Sequence, residues 1–168
     1  IRKLKEHPLL KSGHPPEIAR MVLMDEAYIE MADGHVNLAL ELFERAIALF
    51  RSKPLLDNDE CAQIFYDFSA ELYKYGYLSE ALSMYSRLLK FLEYIYSCSD
   101  LALAQTMMDI ASIMEEGGSF LAAIEMRERV ADLFVGQDAL EPYQSEQKHE
   151  NASILSETRR KYSNIIGH

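Results

Sequence analysis

A step of 42 residues, kept by several residue types at once, constrains this chain more than any other feature. Gly34, Gly76 and Gly118 are spaced by it, and so are Ala39, Ala81 and Ala123. Arg45, Arg87 and Arg129 keep the same register, as do Asp25, Asp67 and Asp109. One such match is chance, but four classes in one register are internal duplication, and a period of this size marks a stacked repeat array. The clearest copy is Asp59 to Phe91, DECAQIFYDFSAELYKYGYLSEALSMYSRLLKF, two amphipathic segments folded back on each other at Lys74–Tyr75–Gly76–Tyr77.

Each segment carries apolar residues at helical spacing and no run of strict alternation, so the array is all-α. Run backwards, the step places residues 1–6, IRKLKE, at the end of a preceding helix, and His7 to Gly13 reads as a linker. Pro15–Pro16 suits a first helical turn. From there to Ala32 the spacing puts Ile18, Val22, Ala27 and Ile29 on one stripe, with Met21, Met24, Tyr28 and Met31 beside it. A second helix from about Val36 to Phe50 uses Ala39, Leu42, Phe43, Ala46 and Ile47, and Ser52–Lys53–Pro54 ends it. Asp57 with Glu60 reads as a capping box, and Ser99 as an N-cap. The expected pairs then occupy residues 14–55, 56–97 and 98–134. Residues 135–168 form a linker and a last helix from Tyr143 to Ile166. Where the register asks for a fourth glycine stands Arg160, so this helix is expected not to turn back. It reads as a long cap, which an array needs to close its apolar end.

Composition excludes more than it selects. A hydrophobic content of 49% with 26% charge supplies a buried core, and no apolar run reaches the 18 residues that suggest a membrane span. A net charge of −10 argues against nucleic acid or an anionic membrane and favours a basic partner, or simply solubility. Two cysteines, Cys61 and Cys98, make no disulfide framework, so a reducing, cytoplasmic setting is expected. The absence of an initiator Met suggests a fragment of a longer chain.

Chemical motifs are lacking. Glu146-x-x-His149 has half of a di-iron pattern without its second copy, in a polar stretch that reads as a solvated face. The histidines form no H-x-x-x-H, the cysteines have no nearby ligands, and no phosphate loop or nucleophile elbow occurs. Asn151–Ala152–Ser153 matches a glycosylation sequon, read as accidental in a chain without secretory signs. The expectation is no enzyme, no metal and no cofactor.

Small residue, glycine, then alanine across a helix–turn–helix resembles the tetratricopeptide family. The matching residues are Ala27…Gly34…Ala39…Phe43…Ala46, then Ser69…Gly76…Ala81…Tyr85…Leu88, then Ala111…Gly118…Ala123…Arg127…Val130. The 42-residue form is similar to the kinesin-light-chain class. Glu30 and Met114 stand where the family often has Tyr, and Arg127 stands where it prefers an aromatic. The resemblance implies a right-handed α-solenoid of three antiparallel helix pairs plus the C-terminal cap. It also implies a concave groove lined by the first helix of each pair. Carried over by position, the groove takes Met24, Asp25, Tyr28 and Met31 from the first pair. Gln63, Tyr66, Asp67 and Tyr73 come from the second, and Gln105, Met108, Asp109 and Ser112 from the third. Chaperone-type relatives hold a carboxylate there with Lys, Arg and Asn, which these positions lack.

Three Asp in register, backed by Met and Tyr, make an acidic ladder for a basic or amphipathic segment of a protein partner. The competing reading is that each Asp merely bonds a neighbouring helix or faces water. Arg45, Arg87 and Arg129 read as salt bridges between repeats or as solvated charges. Two functions follow: a scaffold or adaptor that binds a partner peptide or helix, or a structural array that packs on the rest of a longer chain or on itself.

Overall fold

A computed structural model describes residues 15–50, 58–95, 101–135 and 142–166. Every regular element among them is a helix: α1 (Pro16–Ala32), α2 (Val36–Phe50), α3 (Asn58–Lys74), α4 (Leu78–Ile95), α5 (Leu101–Glu116), α6 (Phe120–Leu133) and α7 (Pro142–Ile166). The proposed helix end at residues 1–6, the Asp57 cap, the Ser52–Pro54 stop and the Ser99 cap lie outside the described residues. No described helix is long and apolar enough to cross a membrane.

The three tight turns are one motif used three times. Gly34, Gly76 and Gly118 have φ of 87°, 82° and 77°, the left-handed region that favours glycine. Each donates its N–H to a carbonyl three residues back (Met31, Tyr73, Glu115). The next residue reaches five back: His35 to Glu30, Tyr77 to Leu72 and Ser119 to Met114, at 2.8–2.9 Å. These are Schellman closures, which satisfy carbonyls that the helix end leaves open.

The chain divides into two compact units after Cys61. The first unit holds the α1–α2 pair. Its core takes Ala19, Leu23, Ala27 and Met31 from α1, a spacing of four, and Ala39, Leu42, Phe43, Ala46 and Ile47 from α2. The α2 stripe is the expected one, but that of α1 is corrected: Ile18 and Ile29 are 45% and 59% exposed. A four-residue row through the small Ala19 and Ala27 lets α1 approach α2 closely, and it turns Ile18 and Ile29 outward.

The second unit, from Ala62 onward, stacks α3 to α7. Ser69 and Ala111 on the first helices, and Ala81 and Ala123 on the second, are all fully buried, which keeps the paired backbones close. Ser69 satisfies its hydroxyl at once by donating to the Phe65 carbonyl at 2.6 Å. Within this unit α5 packs on α4, and α7 packs on both α6 and α5. The last helix therefore caps the unit as expected. Its residues 42 beyond Ala104, Met107 and Ala111, which α5 buries, are Glu146, His149 and Ser153, all exposed. A fourth second helix would find no apolar seat there.

Candidate functional site: the first-helix face of the second unit

The helices α3, α5 and α7 run side by side in one register, joined by side-chain bonds at offsets of 42 or 43 residues. Tyr66 of α3 donates its hydroxyl to Asp109 of α5 at 2.8 Å. Gln105 donates to the other oxygen of Asp109 at 3.2 Å and accepts from Gln147 of α7 at 2.8 Å. One polar chain, Tyr66–Asp109–Gln105–Gln147, thus crosses three helices. Two turns further on, Tyr73 donates to Glu116, and Thr158 donates to Glu115. The two α7 contacts lie at offsets of 42 and 43 residues, against 43 for both α3-to-α5 bonds, so α7 continues the row rather than lying across it.

Burial and these bonds set the electrostatics. Desolvation raises the Asp109 carboxyl, partly opposed by the bonds from Tyr66 and Gln105. Burial, then Asp109, raises the Tyr66 phenol. The bond to Glu116 comes first for Tyr73, whose phenol is pushed up to about 12. Tyr85 packs edge-on to Tyr66 at 5.7 Å and is raised chiefly by burial. Tyr66 and Tyr73 act here as hydrogen-bond donors, and the upward shifts hold all three phenols in the protonated form. On the same face Gln63 donates to Asp67 at 2.8 Å, and Lys74 is engaged by Glu71 at 3.1 Å.

The expected groove residues divide accordingly. Asp25, Gln63 and Asp67 are exposed, while Tyr28, Tyr66, Tyr73, Gln105, Asp109 and Ser112 are half-buried. Met24, Met31 and Met108 are corrected to core residues: each is at most 9% exposed, because its position faces the packed side of the helix. The acidic ladder also divides. Asp67 faces solvent and Asp109 bonds a neighbouring first helix, the two outcomes of the competing reading of the sequence. Of the arginine column, Arg129 forms a bridge between second helices, to Glu93 at 2.7 Å. Glu146 and His149 are exposed, and no group of three or more metal-ligating side chains forms among the described residues.

Sequence reasoning left Gln147, Asn151 and Thr158 out of the site and noted Arg127 only as a departure from the family pattern; all four are buried. Arg127 donates to Ser112 at 3.1 Å and lies 3.7 Å from Glu115; burial lowers its basicity and Glu115 opposes the shift. Asn151 donates to the Arg127 carbonyl at 2.9 Å. The signal was available: Gln147 and Asn151 stand 42 residues after Gln105 and Asp109, one step beyond the third pair.

No family model and no curated protein sequence matches this chain. Solved structures do. A putative kinesin light chain of Podosopora anserina with nearly identical TPR-like repeats is 16% identical, over 90% of this chain and 71% of that one, with a TM-score of 0.55. A variant of that protein superposes at 0.57, with 15% identity over 95% and 82% of the two chains. BtubC (BKLC) from P. vanneervenii gives 0.54, with 13% identity over 94% and 68%. At such identities the likeness is one of fold, and the fold of this chain is the TPR-like helical repeat of those kinesin-light-chain structures.

Proposed function

We propose that this chain is a protein-interaction module whose α3–α5 face receives a basic or amphipathic segment of a partner, in a cytoplasmic scaffold or adaptor. The observation that carries the reading is the row Tyr66–Asp109–Gln105 with Tyr73–Glu116 beside it. It aligns phenols and carboxylates on one face, while Lys74 is occupied by Glu71. Such a surface offers acceptors to cations and aromatic edges to apolar side chains, and offers little to a carboxylate or phosphate. Asp67 and Glu116 are the exposed acids at its rim.

Fluorescence anisotropy with three labelled peptides tests this: a Lys-rich amphipathic helix, its Glu-substituted counterpart and a neutral polar control. The basic peptide should bind. An Asp67→Asn, Glu116→Gln double variant with unchanged circular dichroism should weaken it about tenfold, at ~0.7 kcal/mol per exposed charge pair. Equal binding of all three peptides, or preference for the acidic one, refutes the reading.

A second reading, a structural array that associates with itself or with the rest of a longer chain, is favoured by one observation. Ile18, Met21 and Ile29 of α1 are 45%, 60% and 59% exposed. Sedimentation velocity distinguishes the two: a monomer across the micromolar range counts against self-association.

A further inference from the structure

Glutamine keeps the 42-residue register across three helices: Gln63 of α3, Gln105 of α5 and Gln147 of α7. The first two act alike. Gln63 donates to Asp67 and Gln105 to Asp109, each four residues on, at 2.8 and 3.2 Å. The third departs, because Asn151 stands where the register has aspartate. Asn151 gives its own Nδ2 to the Arg127 carbonyl, and the Gln147 amide turns sideways to donate to Oε1 of Gln105 at 2.8 Å.

This arrangement leaves Oε1 of Gln147 buried without a hydrogen-bond partner, on a residue 3% exposed. An unpaired buried carbonyl is unfavourable, and such a group asks for a reason. The reason lies one helix inward. An ionised carboxylate only accepts, and Asp109 takes the Tyr66 hydroxyl on one oxygen and the Gln105 amide on the other. Gln105 must therefore face Asp109 with Nε2, which turns its Oε1 towards α7. Reversing Gln147 would set two carbonyl oxygens against each other. Only a donor fits there, and donor direction passes from Gln147 through Gln105 to Asp109. Gln63 is exposed, whereas Gln105 is half-buried with α7 behind it.

We infer that Gln147 is a positioning residue for the α3–α5 face: it locks the Gln105 amide with its donor on Asp109, and so makes the seating of α7 a control on that acceptor. The consequence for recognition rests on the binding role proposed for this face. With α7 seated, Asp109 is held as the anion that a basic segment meets. With the relay cut, the Gln105 amide is free to turn, and Asp109 loses one of its two donors.

Carbon-detected NMR of the Asp109 carboxyl, with anisotropy of the labelled Lys-rich peptide, tests this on the full chain. Gln147→Met keeps the length of the side chain and removes the donor together with the orphan oxygen, so α7 should keep its slow hydrogen exchange. The Asp109 midpoint should rise by about one pH unit, since the Gln105 bond favours the charged form. Tyr66 and Tyr73 of α3, Tyr85 of α4, Arg127 of α6 and Glu150 of α7 also act on Asp109 and are the same in every variant. Peptide affinity should fall about threefold. In a Gln105→Met background, Gln147→Met should move neither quantity further. An Asp109 midpoint that stays in place overturns the inference. So does an equal effect in both backgrounds, which is what a merely structural role of Gln147 predicts. If Gln147→Met speeds α7 exchange, Gln147→Glu decides. It keeps the shape but presents an acceptor, so the peptide should bind no tighter than to wild type despite the added acid, and tighter binding overturns the relay. Should the peptide fail to bind wild type while Asp109 moves as stated, the binding role of the face falls and the positioning of Asp109 stands.

Discussion

Gly76 isolates the conformational demand of a repeat turn from its packing. At φ +82 its position is open, with no atom within 4 Å of an added Cβ, so only the backbone resists a side chain. Gly76→Ala should cost about 1–2 kcal/mol, the left-handed penalty of an L-residue. Gly117, one residue before the third turn glycine, has no positive φ, and its added Cβ would meet only the Ile113 and Met114 carbonyls at 3.5 and 3.7 Å. Gly117→Ala should be neutral or stabilise by about 0.5 kcal/mol, by restricting the unfolded chain. Urea denaturation of the two variants side by side measures the contrast; equal losses would contradict it.

Asp109 is the second informative residue. Its carboxyl is raised above the ordinary 3.8, so the folded chain keeps this proton to higher pH than the unfolded chain does. Its contribution to stability is complete below the unfolded value and is lost as pH rises through the folded one. Relative to Asp109→Asn, the wild type should therefore gain stability as pH falls from neutral towards 3.8. Paired denaturation curves across that window check the sign. A relative loss on acidification would mean that the bonds from Tyr66 and Gln105 outweigh burial.

At the scale of elements, helices and turns were legible because each is written locally. The α2 stripe, from Ala39 to Ile47, and the three glycine turns emerged where periodicity and turn chemistry placed them. The face of α1 did not. Ile18 and Ile29 fit a helical stripe as well as Ala19 and Ala27 do, and hydrophobicity favours the larger side chains. Backbone approach decides for the smaller ones, and this is a property of the pair rather than of the segment. The methionines misled for a related reason: Met24, Met31 and Met108 sit in positions shared by groove and core, and a flexible side chain fills gaps in either. Part of the candidate site was legible, since the positions carried over from the resemblance include Tyr66, Gln105 and Asp109, which the structure joins by side-chain bonds. What α7 adds was hidden by polarity. Gln147 and Asn151 stand in a polar stretch that looks solvated, yet they are buried with Thr158 and Leu155, because hydrogen bonds help to seat that helix.

For the whole molecule, charge is the property that reaches beyond contact distance. A net charge of −10 produces a field that accelerates encounter with a cationic partner, and mobile ions screen it over about 8 Å at physiological ionic strength. Short-range bonds to Tyr66, Tyr73 or Gln105 are screened far less. Binding of a basic segment should therefore lose on-rate steeply with salt while its off-rate changes little. Stopped-flow mixing of the labelled Lys-rich peptide from low to high salt should give an on-rate that falls roughly tenfold or more. The Asp67→Asn, Glu116→Gln variant should shift the off-rate instead, because it removes local acceptors and only two of the charges that build the field. Salt-independent association would remove electrostatic attraction from the account. Recognition would then rest on the exposed apolar and aromatic side chains, beginning with Met21 and Ile29.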